Sequence, residues 1–252
     1  MIMLTTSEKI VLSLIAALLL ATVVKDWVDF SACGAAGQCL ADAGQMQLFT
    51  KFSMSFLITV LAFIVAGKAF CARDGRFLRI TFISTLLADF SFSMIKVIAP
   101  ESGDLSSVLG IACFMLCQTV LIYRHSRADE NDKSFPKAYW IVAAFVVVFV
   151  VLAVAGVLQA LVAEVLAYAA FLITSVVVGV LAPRKAYFPK ANAPFIRWGM
   201  VCFISGDVLV GLSMLSGPDN SAVQLLSSIA NNFIWLVYVP TLLLLIRGAA
   251  KE

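Results

Sequence analysis

Eight long apolar stretches dominate the sequence and restrict its possible folds more than any other feature. A helix that crosses a membrane needs about 20 mostly apolar residues. With 62% hydrophobic and 13% charged residues, this chain of 252 residues has more apolar surface than a soluble domain could bury. We therefore predict an all-α, polytopic bundle of eight transmembrane helices, forming a single domain over residues 1–252. The stretches lie at about 10–25, 48–69, 77–98, 106–123, 138–157, 159–182, 196–216 and 224–246.

The positions of the basic residues predict the orientation of this bundle. Lys and Arg concentrate in short cytoplasmic loops of membrane proteins. All but three of the 18 Lys and Arg residues fall before the first stretch, in alternate loops or after the last stretch. The three exceptions are Lys25, Lys51 and Lys96. This alternation predicts that both termini are cytoplasmic, in a bacterial inner membrane or an equivalent membrane.

Two segments near the N-terminus allow alternative interpretations. Lys9 before a short first stretch also fits a cleaved signal peptide. Cys33 and Cys39 share the first outer loop, where they form either a small disulfide or two ordinary thiols. No pair among the six cysteines has the spacing of zinc ligands, so neither a metal nor another cofactor is predicted. The net charge of +3 follows from the basic loops and does not predict nucleic-acid binding.

Two aspartates lie deepest in apolar sequence, and they occupy matching positions. Asp89 follows Arg79 by ten residues, and Asp207 follows Arg197 by the same number. Eleven residues after each aspartate comes a proline followed by an acidic residue, in Pro100-Glu101 and Pro218-Asp219. This matched spacing favours duplication of a four-helix unit.

The predicted halves, residues 1–123 and 138–252, are joined by a basic cytoplasmic loop, 124–137. Four helices return the chain to its starting side, so the two halves run parallel. Ten residues of helix span about 15 Å, which is half of a ~30 Å hydrocarbon core. We therefore expect Asp89 and Asp207 at one depth, near the middle of the membrane.

A carboxylate at that depth costs roughly 2.5–3.5 kcal/mol on insertion scales. We therefore expect Asp89 and Asp207 to approach each other inside the bundle and to form a functional site. Asp89 shares one face of its helix with Thr85, Ser93 and Lys96, as expected of a polar lining. The alternative is that each aspartate only forms hydrogen bonds with neighbouring helices.

Further polar residues in the apolar stretches are candidate substrate-binding groups. Lys51 lies near the outer end of its helix, where it pairs with an Asp, binds a phosphate or extends to the surface. His125, the only histidine, falls in the basic loop 124–137 and is excluded from the active site. The candidates are Lys51, Gln118, Tyr168, Asn231 and Tyr238.

Five segments resemble, in order and spacing, the signatures of the YhhN-like lysoplasmalogenases, a family of eight-helix membrane proteins. Motifs of soluble enzymes, such as a Gly-x-Ser-x-Gly elbow or a phosphate-binding loop, are absent from the sequence. Gln118 stands where the family tends to have His, Phe52 where Pro is usual, and Leu242 where Gln is usual. The five segments are Thr50-Lys51, Ser84–Asp89, Phe114–Gln118, Phe203–Asp207 and Tyr238–Pro240.

The resemblance implies an intramembrane hydrolase. Members of the family cleave the vinyl-ether bond of lysoplasmalogens to a fatty aldehyde and a glycerophospho-ethanolamine or glycerophospho-choline. The resemblance further implies metal-free hydrolysis at Asp89 and Asp207, with a lysophospholipid as substrate and membrane lipids as the other partners. Two buried carboxyl groups can divide the roles of proton donor and of anion beside a cationic intermediate. Lys51 would hold the substrate phosphate or favour ionisation of its neighbour, and Gln118 and Tyr238 would orient water or a glycerol hydroxyl.

Two other functions use the same residues. A proton-coupled transporter would place an aspartate pair near the middle of the membrane to sense protons or to bind a cation. A protein that binds lysolipid without cleaving it would need the same pocket. Release of an aldehyde by detergent-solubilised protein distinguishes the hydrolase from both alternatives.

Overall fold

A computed structural model describes residues 4–33, 40–102, 104–215 and 221–251, except for the side chains of 33, 40–46, 96 and 221. In these ranges the chain forms eight helices of 17 residues or more and no β-strand, as predicted. They are α1 (Thr6–Cys33), α2 (Leu40–Ala66), α3 (Ala72–Phe90), α4 (Leu105–Ser126), α5 (Ala138–Val154), α6 (Ala160–Leu181), α7 (Ala193–Ser213) and α8 (Ser221–Arg247).

Seven of these helices follow one another around a closed ring. Within the described residues all helices except α5 are long and apolar enough to cross a membrane. The order of contact is α1, α2, α3, α4, α6, α7 and α8, and α8 returns to α1. Helix α5 packs outside the ring, mainly against α6. The interior of the ring is therefore lined by helices from both halves of the chain.

Helix α1 is longer at both ends than the predicted stretch 10–25. At its start, the backbone N–H of Thr5 donates to Glu8 Oε2 at 2.8 Å, and the backbone N–H of Glu8 lies 3.4 Å from Thr5 Oγ1. This reciprocal capping satisfies backbone groups that otherwise lack partners at a helix start. At the other end, the acidic residues Asp26 and Asp29 both accept hydrogen bonds from Gln47 of α2. Polar partners therefore extend the helix beyond its apolar sequence.

The segments rich in Lys and Arg meet at one end of the bundle. Arg73, at the start of α3, donates to the carbonyl oxygen of Glu130 at 2.9 Å. Backbone hydrogen bonds join Ala186 to Ala128 at 3.1 Å and Phe70 to Ala249 at 3.0 Å. The predicted alternation of the loops thus corresponds to one shared end, which also holds the C-terminal segment. Its cytoplasmic location stays a prediction.

The predicted basic loop 124–137 begins later than expected, because residues 124–126 belong to a helix. Helix α4 continues to Ser126, and the side chains of Arg124 and His125 are fully buried. Arg124 is accommodated because Asp74 of α3, also fully buried, accepts from its Nε at 2.7 Å and from its Nη2 at 2.8 Å. Two parallel charge-assisted hydrogen bonds offset the cost of removing both charges from water.

Helix α3 changes its winding just after Asp89. Residues Ser91–Ile95 form a π-helical turn, which is a feature found frequently at functional sites. The turn directs Phe92 against α4, where a Cβ on Gly110 would lie 2.5 Å from the Phe92 ring. Thr85, Asp89 and Ser93 are all buried, as expected for one inward face. The side chain of Lys96 lies outside the described residues.

The two halves have similar helix neighbours. Helices α2, α3 and α4 pack in sequence, as do α6, α7 and α8. Helix α4 then contacts α6, and α8 contacts α2. The duplication itself stays a prediction.

Several residues used in the sequence argument lie outside the described residues, namely Cys39, Pro218 and Asp219 and the side chain of Cys33.

Candidate active site

Asp89 is held between three helices. Ser55 of α2 donates to Asp89 Oδ2 at 2.6 Å, and the Tyr238 hydroxyl of α8 donates to the same oxygen at 2.8 Å. Asp89 is buried, with only 8% of its surface exposed. The carboxyl group is therefore fixed in position by hydroxyl groups, without a cationic partner among the described residues.

Asp207 is held by one tyrosine. The Tyr168 hydroxyl of α6 donates to Asp207 Oδ2 at 2.8 Å. Asp207 itself is half-buried, so it is less enclosed by the chain than Asp89. Each predicted catalytic carboxyl group thus accepts a hydrogen bond from a tyrosine of another helix.

Cys117 and Tyr238 lie near both aspartates. The fully buried Cys117 thiol and the Tyr238 hydroxyl each lie within electrostatic range of both carboxyl groups. Thr85 of α3 also donates to Cys117 Sγ at 3.4 Å. Asp89 and Asp207 therefore border one region of the bundle. We call Ser55, Asp89, Cys117, Gln118, Tyr168, Ser175, Asp207 and Tyr238 the central cluster.

Gln118 offers an unused donor in the central cluster. Its Oε1 accepts a hydrogen bond from Ser175 of α6. Its Nε2 is fully buried and has no hydrogen-bond partner among the described residues, although the amide lies next to the Tyr168 hydroxyl. A water molecule or substrate hydroxyl bound beside Gln118 would accept a hydrogen bond from Nε2.

Four aromatic rings form an apolar surface beside the central cluster, which we call the aromatic wall. Phe114 of α4 stacks on Phe92 with ring centres 6.0 Å apart. It also contacts Tyr168 at 6.2 Å and Phe203 at 6.4 Å. These rings bring α3, α4, α6 and α7 together next to the carboxyl groups. An aliphatic chain bound near the aspartates would find an apolar surface there.

Lys51 lies one helical turn outward of Ser55 on α2. Four residues of α-helix correspond to about 6 Å. Its Nζ lies 3.8 Å from Asp26 Oδ2 of α1. Asp26 is therefore the acidic partner of Lys51, which the sequence did not identify. Asp26 also accepts from Gln47 Nε2 at 2.8 Å. Because the Lys51 pair is long and Asp26 has another donor, Lys51 retains hydrogen-bonding capacity for an anion.

Asn231 does not join the central cluster through any hydrogen bond of the described residues. It is half-buried, whereas the next residue, Asn232, is 6% exposed. Asn232 Nδ2 lies 3.4 Å from the carbonyl oxygen of Asp26 in α1. The buried amide at this level of α8 therefore belongs to Asn232 and tethers α8 to α1.

The structure brings five of the seven sequence-selected site residues into the central cluster and places Lys51 one turn away. Sequence reasoning missed Ser55, although its position four residues after Lys51 puts both on one helical face. It also missed Asp26, because the first stretch was expected to end at residue 25. Ser175 carried no comparable signal, since a hydroxyl in an apolar helix commonly bonds to its own backbone.

Comparisons with models of protein families, with curated proteins and with solved structures gave no match. The chemistry therefore has to be inferred from the side chains themselves. The described residues offer two fixed carboxyl groups and a buried amide donor, with aromatic rings beside them and an ammonium group one helical turn away. Such an arrangement can move a proton to and from a bound apolar molecule that carries an anionic head.

Proposed function

We propose that this protein is an intramembrane hydrolase that cleaves the vinyl-ether bond of lysoplasmalogens. The observation that carries the proposal is the pair Asp89 and Asp207, each held by a tyrosine hydroxyl and both within electrostatic range of Cys117. The resemblance of five segments to the YhhN-like lysoplasmalogenases supports the same reaction. Three of those segments supply residues of the central cluster from α3, α4 and α7, and a fourth supplies Tyr238.

The reaction requires one neutral acid and one anion. The acid transfers a proton to the alkenyl carbon distal to the ether oxygen, and this leaves an oxocarbenium ion. Water then adds to the cation and gives its proton to the carboxylate. The newly protonated carboxyl group then gives its proton to the glycerol oxygen as the hemiacetal breaks its bond to that oxygen, and the carboxylate of the first acid removes the hydroxyl proton as the aldehyde leaves. Both carboxyl groups thereby return to their starting protonation states. General acid–base assistance in such steps is commonly worth about 10²–10⁴-fold.

The hydrogen bonds support a division of the two roles between the aspartates. Two donated hydrogen bonds favour a charged carboxylate over a neutral acid. Asp89 accepts two at Oδ2, from Ser55 and Tyr238, whereas Asp207 accepts one from Tyr168. We therefore assign Asp89 as the anion that stabilises the cation and accepts the water proton. Asp207 is then the acid that protonates the alkenyl carbon.

Lys51 and the aromatic wall orient the substrate in this proposal. Lys51 lies about 6 Å along α2 from Ser55, which donates to Asp89. A phosphate bound to Lys51 would therefore lie on the outer side of the Asp89 carboxyl group, and the glycerol would extend from it toward Asp89. The alkenyl chain would lie against Phe114 and its neighbouring rings. Gln118 Nε2 would hold the attacking water or a glycerol hydroxyl.

Aldehyde release from purified protein in detergent tests the proposal. Lysoplasmalogen should yield fatty aldehyde without any ion gradient, whereas the matching ester lysolipid should remain uncleaved. Saturable binding of lysoplasmalogen without aldehyde would identify a lysolipid-binding protein instead. Flux of lysolipid that requires two compartments and a proton gradient would identify a transporter. Either of these results, with no aldehyde, contradicts the hydrolase.

A further inference from the structure

A second polar site lies at the end of the bundle where the basic segments meet. A cleft of about 610 Å³ opens between the end of α6 and the start of α7. Its lining includes Arg184, Lys185, Lys190 and Arg197, and no carboxylate. Within the described part of the chain none of these four cations forms an ion pair. Four positive charges therefore converge on one cleft that no carboxylate lines.

Several basic residues elsewhere at this end have partners within the protein. Lys68 pairs with Glu8 at 2.8 Å, and Arg73 donates to the carbonyl oxygen of Glu130 at 2.9 Å. Arg127 stacks on Tyr123, with its guanidinium carbon 3.9 Å from the ring centre. The tendency of cytoplasmic loops to carry Lys and Arg explains the sign of the charge. It does not explain why four unpaired cations surround a concave surface.

Two of the four cations are positioned by backbone oxygens. Lys185 Nζ donates to the carbonyl oxygens of His125 at 3.1 Å and Ser126 at 2.8 Å, and Arg197 Nε lies 3.4 Å from that of Val180. These contacts use only part of the donor capacity of the two side chains. Burial lowers the pKa of the Lys185 ammonium, which the charge of Asp132 only partly offsets. A bound anion would stabilise the charged form.

The cleft adjoins apolar surface that faces out of the bundle. Trp198 directly follows Arg197 and is 60% exposed, and Leu181 at the end of α6 is also exposed. Tryptophan is enriched where a membrane protein crosses from hydrocarbon to headgroups. A ligand in the cleft therefore has charge on one side and lipid-facing surface on the other.

We propose that this cleft binds the phosphate headgroup of an anionic phospholipid. Basic pockets between transmembrane helices on the cytoplasmic side are suited to such headgroups. The phosphate would contact Arg184, Lys190 and Arg197, and the acyl chains would lie along the exposed surface near Trp198. This site is separate from the central cluster, and it does not depend on the proposed hydrolase activity.

Binding of phosphatidylglycerol to the full-length protein in neutral detergent tests the site. The test variant is Arg184→Gln/Lys190→Gln/Arg197→Gln, and the matched control is Arg76→Gln/Lys133→Gln/Lys137→Gln. Arg76, Lys133 and Lys137 are exposed, so the control removes the same charge near the same end. The number of retained lipids and their affinity are measured by native mass spectrometry, with phosphatidylcholine and inorganic phosphate as comparison ligands.

The wild type and the control should retain one phosphatidylglycerol in preference to phosphatidylcholine. The test variant should bind it on the order of 100-fold more weakly, since three cations near an anionic lipid are lost. Arg184→Lys/Arg197→Lys keeps the charge and should retain binding, which separates charge loss from misfolding. Equal effects in the control, or full competition by millimolar inorganic phosphate, would overturn the proposal.

Discussion

The Tyr238 hydroxyl donates a 2.8 Å hydrogen bond to Oδ2 of Asp89 and thereby joins the last helix to the third. The two residues are 149 positions apart in the sequence. Trp235 packs edge-on against the Tyr238 ring at 5.3 Å and restricts its orientation. Because Tyr238 also lies within electrostatic range of Asp207, this contact is central to the proposed arrangement of the two carboxyl groups.

Asp89→Asn and Asp207→Asn should each abolish aldehyde release. An amide can neither protonate the alkenyl carbon nor carry the charge that stabilises the cation, so we expect a loss of at least about 10²–10⁴-fold in kcat. Steady-state kinetics measures this loss, and size-exclusion profiles check folding. Glu101→Gln removes an exposed carboxylate outside the central cluster and serves as the control. Near-normal kcat in either aspartate variant would exclude the two-carboxylate mechanism.

Tyr168→Phe and Tyr238→Phe should slow turnover less than the aspartate variants do. Each removes one hydroxyl from a carboxyl group, and a hydrogen bond to a charged group is worth roughly 1.5–3 kcal/mol. We expect kcat to fall by about 10- to 100-fold if that stabilisation acts in the transition state. Tyr139→Phe is the matched control, because its hydroxyl donates to the carbonyl oxygen of Thr119 at 2.6 Å. A similar fall in the Tyr139 variant would indicate a general loss of packing.

Lys51→Met should chiefly weaken substrate binding. If Lys51 holds the phosphate in both the ground state and the transition state, KM rises more than kcat falls. Lys25→Met is the control, since Lys25 pairs with Asp29 at 2.8 Å and is more exposed than Lys51. An unchanged KM in the Lys51 variant, with full activity, would remove the phosphate role. Its pair with Asp26 would then be structural.

Arg124→Met should destabilise the protein by about 3–5 kcal/mol, because it leaves the Asp74 carboxylate buried without its cation. Among the described residues, the Asp74 side chain would keep only the 3.2 Å hydrogen bond from the Tyr187 hydroxyl. The double variant Asp74→Asn/Arg124→Met removes both charges and should recover part of that loss. Thermal unfolding in detergent measures the difference. Additive losses in the double variant would mean that the two charges do not stabilise each other.

Cysteines at positions 101 and 134 should react from opposite sides of the membrane. Glu101 lies between α3 and α4, and Ser134 lies in the loop between α4 and α5, and both residues are exposed. In a background without reactive native cysteines, a membrane-impermeant thiol reagent on intact cells should label Glu101→Cys only. Permeabilised cells should show both labels. Labelling of both positions on intact cells contradicts the predicted orientation.

The sequence by itself determined the helices and drew attention to the two aspartates. About 20 apolar residues in a bilayer must satisfy their own backbone hydrogen bonds, so each long stretch becomes a helix regardless of its neighbours. A carboxylate in such a stretch costs free energy, so the sequence alone identified Asp89 and Asp207 as candidate functional residues. These features depend on local composition and on distance along the chain, which the sequence states directly.

Only the tertiary structure decided which side chains meet. Neighbouring residues on a helix point about 100° apart, so the rotation of α8 about its axis decides whether Asn231 or Asn232 is buried. The partners of Lys51 and Arg124 are Asp26 and Asp74, each contributed by another helix. Such pairs depend on the rotation and relative height of packed helices. Helix periodicity describes one helix at a time, so it cannot specify those contacts.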